Sequence, residues 1–268
     1  MMAASPRPRN EAIERMSDTI KLAIDGPHAT ITLNNPAKHN RLGPAELTRF
    51  KAGLDEVDAN QDVRLLVITG AGDRTFCAGF DIGSIADRPD ASGTGFESLV
   101  DRVEAMRMPT LAALNGGVFG GASDLALACD FRLGVRGMRL FVPPARLGLH
   151  YYPNGLRRFV ERLGPGTAKR MFLLAEEFTD EELLRVGYLD WLVAPAELAA
   201  RREEIAQQAL SLAPLPLAGM KRAINQIARG ALDEKLTKDA IAACFRSEDL
   251  KEGLAAYGEK RQPKFRGR

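Results

Sequence analysis

Residues 114–125, reading LNGGVFGGASDL, constrain this fold more than any other stretch, because four of the six residues from 116 to 121 are glycine and an apolar run leads straight into them. Residues 111–115, introduced by Pro109, read as a short strand, and residues 120–128 as a buried helix. The first amides of a helix have no intrahelical acceptor, and the helix dipole makes that end partly positive, so an oxygen bearing negative charge is stabilised there. The loop lacks the lysine and hydroxyl of a phosphate loop and the glycine spacing of a dinucleotide fold. A carbonyl-derived oxyanion is therefore the better guest, with the amide of Gly121 as donor.

The rest of the chain supplies a scaffold for such a loop. Residues 19–24 and 29–33 are β-rich runs joined by Asp25-Gly26-Pro27, a hairpin turn. Leu47, Phe50, Leu54 and Val57 fall at helical spacing behind Pro44 and predict an amphipathic helix over 44–58. Residues 64–70, RLLVITG, form an apolar strand of the kind buried on both faces, and 131–135 form another. Strands alternating with helices in this way favour parallel pairing in an α/β fold. From Thr167 onward strand signals nearly vanish, and helical runs at 168–175, 180–186, 196–212, 214–229 and 236–245 predict a mostly helical C-terminal part. The expected division is a flexible arm over 1–18, an α/β core over 19–200 and a helical region over 201–268.

Charge and cysteine usage narrow the function. A net charge of +2 from 37 basic and 35 acidic residues gives no field suited to nucleic acid or a membrane surface. Three scattered cysteines and three histidines, His28, His39 and His150, suit neither structural zinc nor a disulfide framework. No apolar run approaches the roughly 20 residues that span a bilayer, and the N-terminal segment lacks a signal-peptide core. A cytoplasmic small-molecule enzyme fits these traits.

A second glycine-bearing segment, FCAGFDI at 76–82, follows the strand at 64–70 and would pass for a simple turn if it stood alone. It does not stand alone. ITLNNPAKHN at 31–40, FCAGFDI, LNGGVFGGASDLALACD, PPARLGL at 143–149 and KEGLAAYGEKR at 251–261 occur in that order. Together they closely resemble the crotonase superfamily, the enoyl-CoA hydratase/isomerase family, over most of the chain. The resemblance implies a spiral of strand-strand-helix repeats with a helical C-terminal region that trimerises, often into a hexamer. It implies an acyl-CoA substrate and no separate cofactor or metal, coenzyme A being part of the substrate. It also implies a role in fatty acid metabolism. The thioester oxygen would be held by the backbone amides of Phe80 and Gly121. The coenzyme A moiety would lie near Ala37, Lys38, Ala78, Asp81 and Ile82, with Lys260 or Lys264 adding charge from a neighbouring subunit.

The acids of the family pattern are incomplete here. Hydratases of the family place two glutamates around the reacting carbons, whereas this chain has Asp124 at the first position and Pro144 at the second. Asp124 is the candidate proton-transfer residue, or else a first-turn carboxylate that complements the helix dipole. His150 and Tyr151 are further catalytic candidates, with Tyr152 beside them, because histidine exchanges protons near neutrality and a tyrosine hydroxyl donates hydrogen bonds. Asp81 is another acid within reach, and Arg157 and Arg158 read as helix-face charges. Loss of one general acid or base typically removes about 100- to 10,000-fold in rate. Hydration, double-bond isomerisation and decarboxylation of a malonyl-type thioester therefore all stand open. So does a catalytically silent member that binds acyl-CoA.

Overall fold

The computed structural model describes residues 13–17, 19–86 and 95–268. A seven-stranded sheet in the order β1-β2-β3-β4-β6-β8-β11 and a four-stranded sheet in the order β10-β9-β7-β5 organise the chain. β1 (Ile13–Ser17), β2 (Ile20–Asp25) and β3 (His28–Leu33) are antiparallel, with Asp25 opposite His28 across the expected hairpin turn. Part of the N-terminal arm is thus sheet rather than loose chain, because β1 completes its backbone hydrogen bonds on the edge of β2. The remainder of that arm, 1–12 and 18, lies outside the described residues.

From β3 onward a strand-strand-helix unit recurs. β4 (Leu65–Gly70) joins the large sheet and β5 (Thr75–Cys77) the small one, and α2 (Gly83–Ala86) and α3 (Phe96–Glu104) follow. β6 (Thr110–Leu114), β7 (Gly117–Phe119) and α4 (Ala122–Ala128) repeat the unit, as do β8 (Phe131–Val135), β9 (Arg139–Phe141) and α5 (Pro153–Leu173). The first strand of each unit pairs parallel with its predecessor in the large sheet, from β3 through β4 and β6 to β8. The second strands pair likewise in the small sheet, β5 with β7 and β7 with β9. This is the spiral of strand-strand-helix repeats expected from the sequence, with α1 (Pro44–Ala59) packed against its opening strands through Leu47, Phe50, Leu54 and Val57.

β4 is apolar from Leu65 to Ile68 because both its faces are covered. Leu66 and Ile68 face the main core, while Leu65 and Val67 face a second cluster closed by Ile205 and Ala206 of α7 (Leu198–Leu210). The boundary expected between 200 and 201 therefore cuts through one helix that belongs to the core. The reading that strands end near Thr167 also needs correction. β10 (Phe178–Thr179) pairs with β9, and β11 (Trp191–Val193) extends the large sheet parallel to β8. Runs of two and three residues are too short to show a period. α3 lies outside the helical runs expected from the sequence, although its Phe96, Leu99, Val100 and Val103 carry helical spacing.

After α6 (Asp180–Arg185) and α7, the chain ends in α8 (Pro214–Ala228), α9 (Glu234–Arg246) and α10 (Glu248–Glu259). These last helices leave apolar side chains outward: Ile224 is 63% exposed, Phe245 73% and Tyr257 88%.

Candidate active site

The two glycine-bearing segments meet. Residues 39–42 run beside residues 78–81: Ala78 N donates to His39 O, Leu42 N to Gly79 O, and Asp81 N to Leu42 O, each at 2.9 Å. In this parallel bridge Leu42 uses both its backbone groups on Gly79 and Asp81, so the amide of its opposite number, Phe80, points away from the 39–42 segment. What lies close on the other side is the start of α4. Gly79 has φ +84°, and a Cβ built on it would stand 2.7 Å from Phe119 O and 2.8 Å from Gly121 N. Only glycine fits that backbone angle and that contact. Among the described residues neither the Phe80 amide nor the Gly121 amide finds an acceptor. The two segments that carry these unpaired amides thus pack against each other at the junction of β5, β7 and α4.

The buried Asn40 fixes this junction. Its side chain donates to Ala71 O at 2.9 Å and Thr75 O at 2.8 Å, and accepts from Asn35 N at 2.9 Å. Phe96 of α3 closes the opposite side: its ring stands 6.1 Å from that of Phe80, edge to face, and would lie 2.7 Å from a Cβ on Gly121.

Asp124 lies one helical turn beyond Gly121 and is completely buried. Arg158 of α5, equally buried, forks onto it, with Nε 2.8 Å from Oδ1 and Nη2 2.7 Å from Oδ2. Tyr152 adds a short hydrogen bond from its hydroxyl to Oδ2. Burial alone would lower the pKa of the Arg158 guanidinium, but the hydrogen bonds and charge of Asp124, with Asp101 and Glu104, outweigh it and leave the net shift upward. Arg158 Nη1 reaches Asp101 at 2.7 Å and Glu104 at 3.0 Å. Breaking such a buried pair by removing one partner typically costs about 3–5 kcal/mol.

Tyr151 stacks on Tyr152, ring centroids 4.6 Å apart, and packs against Phe159 and Phe172. Its hydroxyl is buried beside the side chains of Tyr152 and Ser123 and completes no hydrogen bond of ordinary geometry. Burial first, then the neighbouring Asp124 charge, raises the Tyr151 pKa, while burial, Tyr151 and Asp124 raise that of Tyr152. A Cβ on Gly155 would collide with both rings at 2.4–2.8 Å, so the bare backbone there makes room for the tyrosine pair.

Arg158 is therefore no helix-face charge. It shares the inward stripe of α5 with Gly155 and Phe159, three residues before and one after, and that phase was the readable signal. Arg157 is half-buried and paired with Glu104 and Glu161. His150 is exposed, its Nδ1 2.7 Å from Tyr151 O, and is not brought to Asp124. Pro144 opens a 3-10 turn, Pro144–Leu147.

Of the residues expected near coenzyme A, Ala37 and Lys38 are exposed on the turn Pro36–Lys38, and Ala78 lies half-buried beside His39. Asp81 is ion-paired with Arg41 at 2.8 Å, and Ile82 is 55% exposed. Lys260 and Lys264 are exposed on the far C-terminal tail, where the Lys264 amide donates to Glu252 at 2.7 Å. Among the described residues no group of three or more His, Cys, Asp or Glu side chains is arranged to hold a metal, and no helix is long and apolar enough to cross a membrane.

The family described as Enoyl-CoA hydratase/isomerase matches residues 26–268. A crotonyl-CoA hydratase of Syntrophomonas wolfei is 33% identical over 243 residues, 88% of this chain and 94% of that protein. A short-chain-enoyl-CoA hydratase of Clostridium acetobutylicum is 31% identical over 251 residues, 91% of this chain and 96% of that one. Among solved structures, an enoyl-CoA hydratase from Bacillus anthracis superposes with a TM-score of 0.87 at 27% identity, covering 93% of this chain and 100% of its own.

Proposed function

The chain belongs to the enoyl-CoA hydratase/isomerase family, and from that premise we propose that it activates an acyl-CoA thioester by holding the enolate oxygen between the amides of Phe80 and Gly121. The observation that supports this reading is the close packing, across Gly79, of the two segments that carry unpaired amides. Fixed backbone donors at a developing oxyanion need no reorganisation as charge builds, and each is typically worth about 100- to 1,000-fold in rate. The exposed turn at Ala37 and Lys38 and the backbone at Ala78 border this junction and suit the nucleotide end of coenzyme A. Asp81 and Ile82 follow the Phe80 donor directly and continue the same edge. A neighbouring copy is the natural source for Lys260 or Lys264.

The names of the relatives favour short-chain enoyl thioesters and addition or removal of water. Hydration needs a group that handles water and a group that handles the α-proton. Both oxygens of Asp124 are already engaged by Arg158 and Tyr152, and position 144 offers no ionisable side chain. Isomerisation meets the same obstacle, because Asp124 would have to act alone. That engagement favours a second reading, decarboxylation of a malonyl-type thioester. There the breaking bond to the carboxylate leaves its electron pair on the α-carbon and thioester oxygen, carbon dioxide departs, and no base is required. The Tyr151 hydroxyl, which completes no ordinary hydrogen bond with the neighbouring Tyr152 and Ser123, suits a contact with the substrate carboxylate.

Incubation with crotonyl-CoA, a 3-enoyl-CoA and methylmalonyl-CoA, each analysed by mass spectrometry, separates hydration, isomerisation and decarboxylation. Binding of all three without turnover would remove the catalytic reading and leave an acyl-CoA-binding member. The outward apolar side chains of α8, α9 and α10 support assembly into a homotrimer or hexamer, since exposed apolar surface of this extent marks association sites. Three free cysteines, Cys77 and Cys129 among the buried core, suit a reducing cytoplasm.

A further inference from the structure

Arg158 sits in the middle of a chain of ion pairs that runs from the C-terminal helices into the candidate active site. Arg229, the residue that closes α8, places Nη2 2.6 Å from Glu104 Oε2. That same oxygen takes Arg158 Nη1 at 3.0 Å, and the other edge of Arg158 forks onto Asp124. Asp124 in turn accepts from Tyr152, on which Tyr151 is stacked. The side chains of Arg158 and Asp124 are fully buried and that of Glu104 is 6% exposed, while Arg229 at the outer end is 37% exposed and Arg157 shares the same Glu104 oxygen at 2.7 Å. In the dry inner part of the network, from Glu104 through Arg158 to Asp124, a displaced side chain cannot exchange its partner for water, so a shift of Glu104 is passed to its neighbours.

We propose that Arg229 and Glu104 are positioning residues: by seating α8 they fix Arg158 and, through it, Asp124 and the tyrosine pair, so that docking of the C-terminal helices sets turnover. The proposal rests on the reading that Asp124 and the tyrosines border the acyl pocket. A second ion pair supplies the comparison, for Lys221 Nζ lies 2.7 Å from Asp130 Oδ2 and anchors the same helix without joining the chain.

The full-length variants Arg229→Gln, Lys221→Gln, Tyr152→Phe and the double variant Arg229→Gln/Tyr152→Phe test it. Arg229→Gln is expected to lower kcat by roughly 2- to 30-fold with KM for the thioester unchanged. Lys221→Gln is expected to weaken folding in urea while leaving kcat intact. In the Tyr152→Phe background the Arg229→Gln change is expected to add nothing. Equal losses of kcat in Arg229→Gln and Lys221→Gln, or additive losses in the double variant, overturn the proposal. If the unaltered protein turns over none of the thioesters, the enolate reading fails by itself. The chain of ion pairs is then judged by hydrogen exchange, where Arg229→Gln but not Lys221→Gln should speed exchange across residues 151–159. Exchange there that does not change in Arg229→Gln overturns it.

Discussion

Gly79→Ala tests the junction of the two donor segments directly, with Gly187→Ala as its partner experiment. Both glycines are left-handed, at φ +84° and +77°, but a Cβ on Gly187 meets nothing within 4 Å whereas one on Gly79 meets Phe119 O at 2.7 Å and Gly121 N at 2.8 Å. The backbone angle penalises alanine by about 1–2 kcal/mol at either site. At Gly79 the two segments must also part by roughly 0.5 Å to restore ordinary contact distances. An oxyanion donor works within about 2.7–3.1 Å of the oxygen, so a shift of that size removes one donor and about 2.7–4 kcal/mol of transition-state stabilisation. Urea unfolding should show both variants weakened, Gly79→Ala more. Steady-state kinetics on whichever thioester is turned over should show kcat reduced about 100-fold or more in Gly79→Ala and unchanged in Gly187→Ala. A folded Gly79→Ala protein with the kcat of the parent would refute the assignment of Phe80 and Gly121 as donors.

The thiols offer a second check: burial pushes Cys77 and Cys129 up to about 12, whereas Cys244 is only half-buried. At pH 8 an aromatic disulfide reagent should label one cysteine in the native protein and all three in guanidinium. The C-terminal tail should be acid-sensitive, because hydrogen bonds from Arg261 and from the Lys264 amide hold Glu252 down to about 2, below its ordinary 4.5. A depressed carboxyl contributes its stability above the unfolded pKa and loses it as pH falls through the folded one. An acid-active protease such as pepsin should therefore cleave after residue 259 more readily as pH falls from 4.5 towards 2, and a Glu252→Gln variant should be cleaved readily across that whole range.

Much of the architecture is legible in the sequence because backbone rules act locally. The hairpin at Gly26–Pro27, the strand Leu65–Gly70 and the helix at Pro44–Ala59 all follow from turn residues and apolar period. The meeting of the two glycine-bearing segments is legible for the same reason, since close backbone approach depends on glycine rather than on a distant side chain. What escapes is short or long-range. β10 and β11 have too few residues to show a pattern, and β11 is a strand only because β8 offers it an edge.

Asp124 shows why side-chain roles are harder to read than backbone ones. Its position one turn after Gly121 is fixed by the chain, and from sequence alone a proton-transfer acid and a helix-end carboxylate look alike. The deciding group, Arg158, lies 34 residues away on another helix, and it reaches Asp124 only because α4 and α5 pack face to face. Once that fork is formed, shortening glutamate to aspartate acquires a physical meaning. A carboxylate one methylene shorter sits back against the guanidinium, where Tyr152 joins it from the other side. On the reading proposed above, the proline at position 144 and the engaged Asp124 favour the same outcome, chemistry that relies on backbone donors and asks little of carboxylates.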